Sequence, residues 1–260
     1  MAAGFRSQIA RANGHEVPVQ VGGSGPALLY LHGAGGAGLI GEFERALAES
    51  FTVYAPLHPG FGGTPLPDWV KATDDVALHY LDLIQALGIG APIVVGHSLG
   101  GWIATELAVF RPASLERLVL VSAIGVRPEK PMPDLFIMDP PEMLGLLFAD
   151  PAKAVALLPA QPDTDFVVRR YEEQAAVARL AWKRPYNSQL RRRLHHITCP
   201  TLVVWGDSDR LIPASHGEKI LAKEIPGARF RLIERAGHVV PIEAPRALAD
   251  AIRAFAAPRR

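Results

Sequence analysis

One cysteine in 260 residues, Cys199, excludes an intramolecular disulfide and any cysteine-rich metal site. It sits at the start of the apolar run "ITCPTLVVWG", the setting of a buried, inert thiol. Charge is scarce as well. Only 20 % of residues are charged, and 27 Lys and Arg nearly cancel 26 Asp and Glu, leaving +1 at pH 7. So small a net charge gives no electrostatic case for a nucleic-acid partner or an acidic membrane surface. No run of about 18 uncharged apolar residues occurs, and the opening "MAAGFRSQIARANGHEV" lacks the apolar core of a signal peptide; a soluble cytoplasmic protein is expected. Internal repeats and low-complexity linkers are also missing. Against that low charge stand 49 % hydrophobic residues, which excludes a disordered or fibrous chain and predicts one main domain with a large core.

What is present is an alternation of strand and helix. Asn13-Gly14 is a type I′ turn signal and Val17, Val19 and Val21 alternate after it, so the chain opens as a hairpin. Short apolar runs follow at 26–32, 51–56, 91–96, 115–123, 200–206 and 228–234, each suited to a strand buried on both faces. Helix-period segments between them are long enough for parallel crossovers. The expected fold is therefore α/β, a mostly parallel central sheet of about eight strands flanked by helices. "VKATDDVALHYLDLIQALG" puts Val76, Leu83 and Leu87 on one face, with acids early and Gly88 ready to end the helix. A single last helix, "IEAPRALADAIRAFAA", is expected to close the chain. Residues 126–196 break the alternation, with several prolines and many Met, Phe and Leu but no strand-like run. They read as a mostly helical insertion between the sixth and seventh main strands, leaving 1–125 and 197–260 as the core domain.

One stretch, "IVVGHSLGGWIATELA", turns sharply from strand to helix with Ser98 at the apex. A serine there is lifted clear of the sheet and faces the free N–H groups of a helix N-terminus. The strained turn requires small neighbours two residues before and after, which Gly96 and Gly100 supply; "GHSLG" has the form of a nucleophile elbow. The alternative is a Gly-rich loop whose serine only caps a helix. A serine hydroxyl needs a base, and the base an orienting acid. Of nine histidines, His238 in "RAGHVVPIEAP" follows the last strand and can reach the carboxyl edge of the sheet, whereas His97 should point away and support the turn by a hydrogen bond. The acid is sought in "WGDSDRLIP", as Asp209 or its competitor Asp207, the latter better suited to bracing the loop. Acyl chemistry also needs donors aimed at an oxyanion, and the N–H of Ala34 in "LYLHGAGGAG" can meet that of Leu99. Residues 33–38 formally satisfy G-x-G-x-x-G, but no acid stands near the end of the next strand, where Val53 to Leu57 lie, which counts against a dinucleotide site.

In their order along the chain, "HGAGG", "HPGFGGT", "GHSLGG", "WGDSDRLIP" and "AGHVVPIEAP" resemble the α/β-hydrolase family over nearly the whole length. The resemblance implies Ser98 as nucleophile, His238 as base, Asp209 as orienting acid, backbone N–H groups of Ala34 and Leu99 as oxyanion hole, and 126–196 as a cap over the site. It implies no cofactor and no metal. An ester with an apolar acyl part is the first substrate class. The carbon–carbon bond hydrolases of the family share the triad but usually carry a Trp directly after the last His, where this chain has Val239. Binding of a small ligand without turnover is a third reading, against which the complete Ser98, Asp209 and His238 set argues. Trp102 reads as core rather than pocket. Met132, Phe136, Met138, Met143, Leu144, Leu147 and Phe148 line an acyl pocket or simply pack the cap. Arg191, Arg192 and Arg193 read as a solvated face, and His195-His196 lacks companions at metal-ligand spacing.

Overall fold

In the computed structural model, which describes residues 4–36, 40–155 and 161–257, the chain opens as its turn chemistry dictates. β1 (Phe5–Ala12) and β2 (His15–Gly22) form an antiparallel hairpin closed by Asn13 and Gly14, whose φ angles of 47° and 80° are the paired positive values of a type I′ turn. Six further strands follow: β3 (Ala27–Leu31), β4 (Thr52–Pro56), β5 (Ile93–His97), β6 (Arg117–Val121), β7 (Thr201–Gly206) and β8 (Arg229–Ile233). They complete one eight-stranded sheet in the order β1-β2-β4-β3-β5-β6-β7-β8, antiparallel from β1 to β4 and parallel from there to β8.

The inner parallel strands β3, β5, β6 and β7 read as unbroken apolar runs because both their faces are covered, whereas β8, expected to be buried on both faces, is the sheet edge and exposes Arg229, Arg231 and Leu232. Leu29 and Leu31 of β3, Val94 of β5 and Leu118 and Leu120 of β6 share a core on one side with α2 (Thr73–Leu87) and α3 (Leu99–Phe110), and Trp205 of β7 packs against His216 and Gly217. Their neighbours Leu28, Tyr30, Val95, Val119, Val121 and Val204 share the core on the other side with α1 (Glu42–Ala48) and with Leu248, Ala249, Ile252 and Phe255 near the end of the chain. Full burial of each such side chain is worth roughly 1.5–3 kcal/mol. Strand order fixes where a ligand can sit. The chain leaves β3 for β4 on one side and returns to place β5 on the other, so a crevice opens at the carboxyl ends of β3 and β5, which pair as Leu31 with Gly96.

Helix α2 runs as its pattern predicts. The Asp75 carboxylate accepts the N–H groups of Lys71 and Ala72 at 2.8 and 3.0 Å at the start, and Gly88 ends it at φ +64°. Between β6 and β7 the described residues hold no strand but α4 (Pro140–Leu147), α5 (Pro151–Val155), α6 (Thr164–Ala181) and α7 (Leu190–Arg193). Residues 156–160 of this interval lie outside the described ones. Asp139 and Asp163 cap α4 and α6, accepting from the N–H groups of Glu142 and Phe166. After β7 come α8 (Ala214–His216), a π turn at Gly217–Leu221 and α9 (Ala222–Glu224). The single terminal helix expected from the pattern is two, α10 (Val240–Glu243) and α11 (Pro245–Ala256). Pro245 excludes the helical conformation at the residue before it, and Ala244 sits at φ −138°, ψ 53°. No helix among the described residues is long and apolar enough to cross a membrane.

Candidate active site

Four loops at the carboxyl edge of the sheet meet at the crevice. The turn from β5 into α3 puts Ser98 at φ +52°, ψ −112°, a conformation that costs on the order of 1–3 kcal/mol. Surrounding bonds hold it there: the Ser98 N–H donates to the Val121 carbonyl at 2.9 Å, and its own carbonyl accepts from Trp102 at 3.0 Å and Ile124 at 3.3 Å. A Cβ on Gly96 would lie 2.3 Å from the Gly100 carbonyl oxygen, and one on Gly100 2.1 Å from that of Leu31. The strain at Ser98 is thus enforced by glycine contacts that no other residue permits.

The loop after β7 delivers Asp209. Trp205, fully buried, donates its indole N–H to the Ile212 carbonyl at 2.8 Å, folding 207–212 back over the strand end. One Asp209 oxygen, Oδ1, accepts the N–H groups of Leu211 and Ile212 at 3.0 and 2.9 Å, which leaves Oδ2 aimed at the next loop. There His238 donates from Nδ1 to Asp209 Oδ2 at 2.9 Å, and its Nε2 accepts the Ser98 hydroxyl at 2.8 Å. All three residues are buried. Because the carboxylate can only accept, the proton on the imidazole is on Nδ1 and the nitrogen facing Ser98 is free to take another. Asp207 lies outside this line and accepts from Ser208 Oγ at 2.8 Å, bracing the loop.

His97 does point away from the serine, and its Nε2–H donates to the His238 backbone carbonyl at 3.0 Å. Burial, and then the neighbouring His238, push its pKa down to about 3, so the ring is neutral and serves as a fixed donor. It needs Gly33 opposite, where a Cβ would come 2.7 Å from Nδ1.

The turn after β3 carries Ala34. The Gly36 N–H donates to the Gly33 carbonyl at 3.1 Å, and His32 Nδ1–H donates to that same oxygen at 2.8 Å. His32 Nε2 must then accept, and it takes the His58 N–H at 3.1 Å. His58 donates from Nε2 to the His32 carbonyl at 2.8 Å and accepts the Tyr80 hydroxyl on Nδ1 at 2.5 Å. This buried chain works only with both rings neutral, and burial lowers both, His32 to about 4. Ala34 thus stands on a turn fixed from beneath. Leu99 is the first residue of α3, where an N–H has no partner within the helix. Ala37 and Gly38 of the formal G-x-G-x-x-G lie outside the described residues.

Sequence reasoning gave no role to Glu243, five residues after His238 in the same motif. Its carboxylate accepts the N–H groups of Gly237 at 2.6 Å, Ala149 at 3.0 Å and Asp150 at 3.0 Å, joining the His238 loop to the segment between α4 and α5. A buried acid in an otherwise apolar "VVPIEAP" was the available signal. Glu106 was missed similarly: it is fully buried on α3 and accepts from Trp102 Nε1 at 3.1 Å and Asn187 Nδ2 at 2.8 Å. That network places Trp102 in the core. Arg191 and Arg192 are exposed, as a solvated face requires, and Arg191 grips Glu224 there with two nitrogens. Cys199 is buried, and burial pushes its thiol pKa up. Among the described residues no three His, Cys, Asp or Glu side chains group as a metal site would require.

Residues 28–251 match the model of the alpha/beta hydrolase family. An uncharacterized protein of Mycobacterium tuberculosis strain H37Rv is 28 % identical over 95 % of this chain and 80 % of its own length. The 2-hydroxy-6-oxo-6-phenylhexa-2,4-dienoate hydrolase of Burkholderia cepacia is 29 % identical over 83 % of this chain and 82 % of its own. Among solved structures, a membrane phospholipase A described as a bacterial virulence factor superposes with a TM-score of 0.76 at 26 % identity, covering 97 % of this chain and 86 % of its own.

Proposed function

The chain belongs to the alpha/beta hydrolase family, and from that premise we propose that it is a serine hydrolase cleaving a small or medium carboxylic ester with an apolar acyl part. The observation that carries this reading is the unbroken line from Ser98 through His238 to Asp209, built on a strained serine. Ser98 Oγ attacks the ester carbonyl while its proton passes to His238 Nε2, and the carbonyl oxygen becomes an oxyanion held by the N–H groups of Ala34 and Leu99. The tetrahedral adduct collapses, the ester C–O bond breaks, and His238 returns the proton to the departing alcohol. Water then attacks the acyl-enzyme with His238 again taking a proton; the second adduct collapses, the Ser98 Oγ–acyl bond breaks, His238 returns the proton to Oγ, and acid and free Ser98 result. Residues 126–196 act as a cap over 1–125 and 197–260, with their Met, Leu and Phe side chains supplying the acyl pocket.

A second reading is cleavage of a carbon–carbon bond in a vinylogous diketone, favoured by the relative from Burkholderia cepacia and opposed by Val239. A time course with p-nitrophenyl esters of increasing acyl length separates the two. A burst and steady turnover, reduced by about 10⁶ in Ser98→Ala, supports the esterase. No turnover of any ester by the folded protein, with cleavage of a vinylogous diketone, moves the assignment to carbon–carbon hydrolysis.

A further inference from the structure

Helix α6 belongs to the insertion, yet one of its faces is built against two loops of the core. Arg170, Glu173, Ala176 and Leu180 recur at helical spacing, and the last three are buried. A Cβ on Gly60 would lie 2.7 Å from the Ala176 Cβ, so the helix rests directly on the "HPGFGGT" loop. Beside that contact, Glu173 Oε1 accepts the Gly62 N–H at 3.1 Å. Its other oxygen accepts Arg170 Nη1 at 2.7 Å, and the same Nη1 donates to the Gly35 carbonyl at 2.7 Å. Gly36, at φ +86°, lies so close that an added Cβ would come 3.0 Å from Glu173 Oε2.

The turn carrying Ala34 is therefore gripped from two sides. His32 fixes its first carbonyl from within the core, and Arg170, aligned by Glu173, fixes the carbonyl of Gly35 from the insertion. The Ala34 N–H lies between these two anchors. A carboxylate, itself mostly buried and made to accept from a core N–H and an arginine at once, is costly as mere surface decoration. It is well suited to transmitting the position of one element to another.

We infer that Glu173, acting through Arg170, is a positioning residue for the oxyanion turn, so that the site is complete only when α6 is seated on the core. This rests on the serine-hydrolase reading. It means that the insertion does more than enclose substrate: its docking aims the Ala34 donor.

The test compares wild type with Glu173→Gln, whose single amide oxygen cannot accept from Gly62 and Arg170 together, so that Arg170 loses the partner that aligns it on Gly35. Two inhibitors of equal chain length separate oxyanion holding from pocket filling. An alkyl trifluoromethyl ketone adds to Ser98 Oγ, with the serine proton going to His238 and the ketone oxygen becoming an alkoxide in the oxyanion hole. The corresponding methyl ketone only fills the pocket. Loss of a whole oxyanion donor costs about 10²–10³ in kcat, so a misaimed one should cost about tenfold or more. The expected result is a fall of that size in kcat for p-nitrophenyl butyrate, a matching weakening by the trifluoromethyl ketone, and unchanged KM and methyl-ketone inhibition. Unchanged kcat, or equal loss of both inhibitors, overturns the inference. Should Glu173→Gln fail to fold, Arg170→Met removes the Gly35 contact from a partly exposed position, with the same outcomes expected. A wild-type protein that forms no adduct overturns the hydrolase reading and this inference with it. A wild-type adduct with an indifferent variant overturns this inference alone.

Discussion

At the scale of single residues, hydrogen-bond inventory decides what each side chain in the crevice can do. Asp209 spends one oxygen on two backbone N–H groups and the other on His238. In Asp209→Asn the amide oxygen should stay on the two N–H groups, leaving its NH₂ toward Nδ1. Nδ1 must then accept, the ring proton moves to Nε2, and the base facing Ser98 is lost. Steady-state kinetics should show kcat reduced about 10⁴-fold with KM little changed, the magnitude of a wrong-tautomer histidine. Retention of more than a tenth of the activity would show that Asp209 does not set the tautomer. Gly100 illustrates steric rather than electronic necessity, because the atom an added Cβ would strike at 2.1 Å is the backbone oxygen of Leu31. Gly100→Ala should cost about 3 kcal/mol or more, read as a lowered urea midpoint.

Elements respond differently, because their ends face solvent as often as core. Gly88, unlike Gly100, lies in the left-handed region, at φ +64° where α2 stops, and an added Cβ would meet nothing within 4 Å. Gly88→Ala should therefore lose only about 1–2 kcal/mol from backbone conformation, with ester turnover per folded molecule unchanged. Chemical denaturation and kinetics on the same samples check both halves of that statement. The contrast with Gly100 comes from what the elements face, since both are glycines beside helix ends. Helix α11 makes a related point. Its start is set by Pro245 and not by the apolar periodicity, which runs on through Ala244 without a break.

For the whole molecule, buried neutral histidines govern the response to acid. Burial lowers His32 and His216 to about 4 and His97 to about 3, with His58 also well below its usual value. The unfolded chain protonates such groups near pH 6.5, so below that value it binds more protons than the folded chain, and stability falls with pH. The loss begins near 6.5, grows down to the folded values, and is complete below them. Glu44 and Glu106, whose pKa values burial raises, act in the opposite sense because the folded form holds their protons more tightly. The histidines outnumber them, and by about pH 4 the net loss should be on the order of several kcal/mol. Thermal melts between pH 7.5 and 4 check this; a flat Tm across that range would mean that the His32–His58–Tyr80 chain opens to water without cost.

The sequence by itself determined whatever is local. Turn chemistry at Asn13-Gly14, apolar runs of strand length, the glycines around Ser98 and the end of α2 at Gly88 are dictated by neighbours in the chain, and backbone sterics act over a few residues. It also brought forward Ser98, His238 and Asp209, because each follows a strand whose end must face the same edge of a parallel sheet. Between Asp207 and Asp209, which both follow β7, the sequence favoured Asp209 by assigning Asp207 to the loop; tertiary structure shows which carboxylate meets His238, through the fold of 207–212 around Trp205. Tertiary structure alone gave roles to Glu173, Glu243, His32 and His58. Apart from Arg170 and Tyr80, their partners include backbone groups as far away as 111 positions in the chain, between Gly62 and Glu173. A backbone N–H or carbonyl carries no residue identity, so the sequence holds no signal for which carboxylate or imidazole will find it.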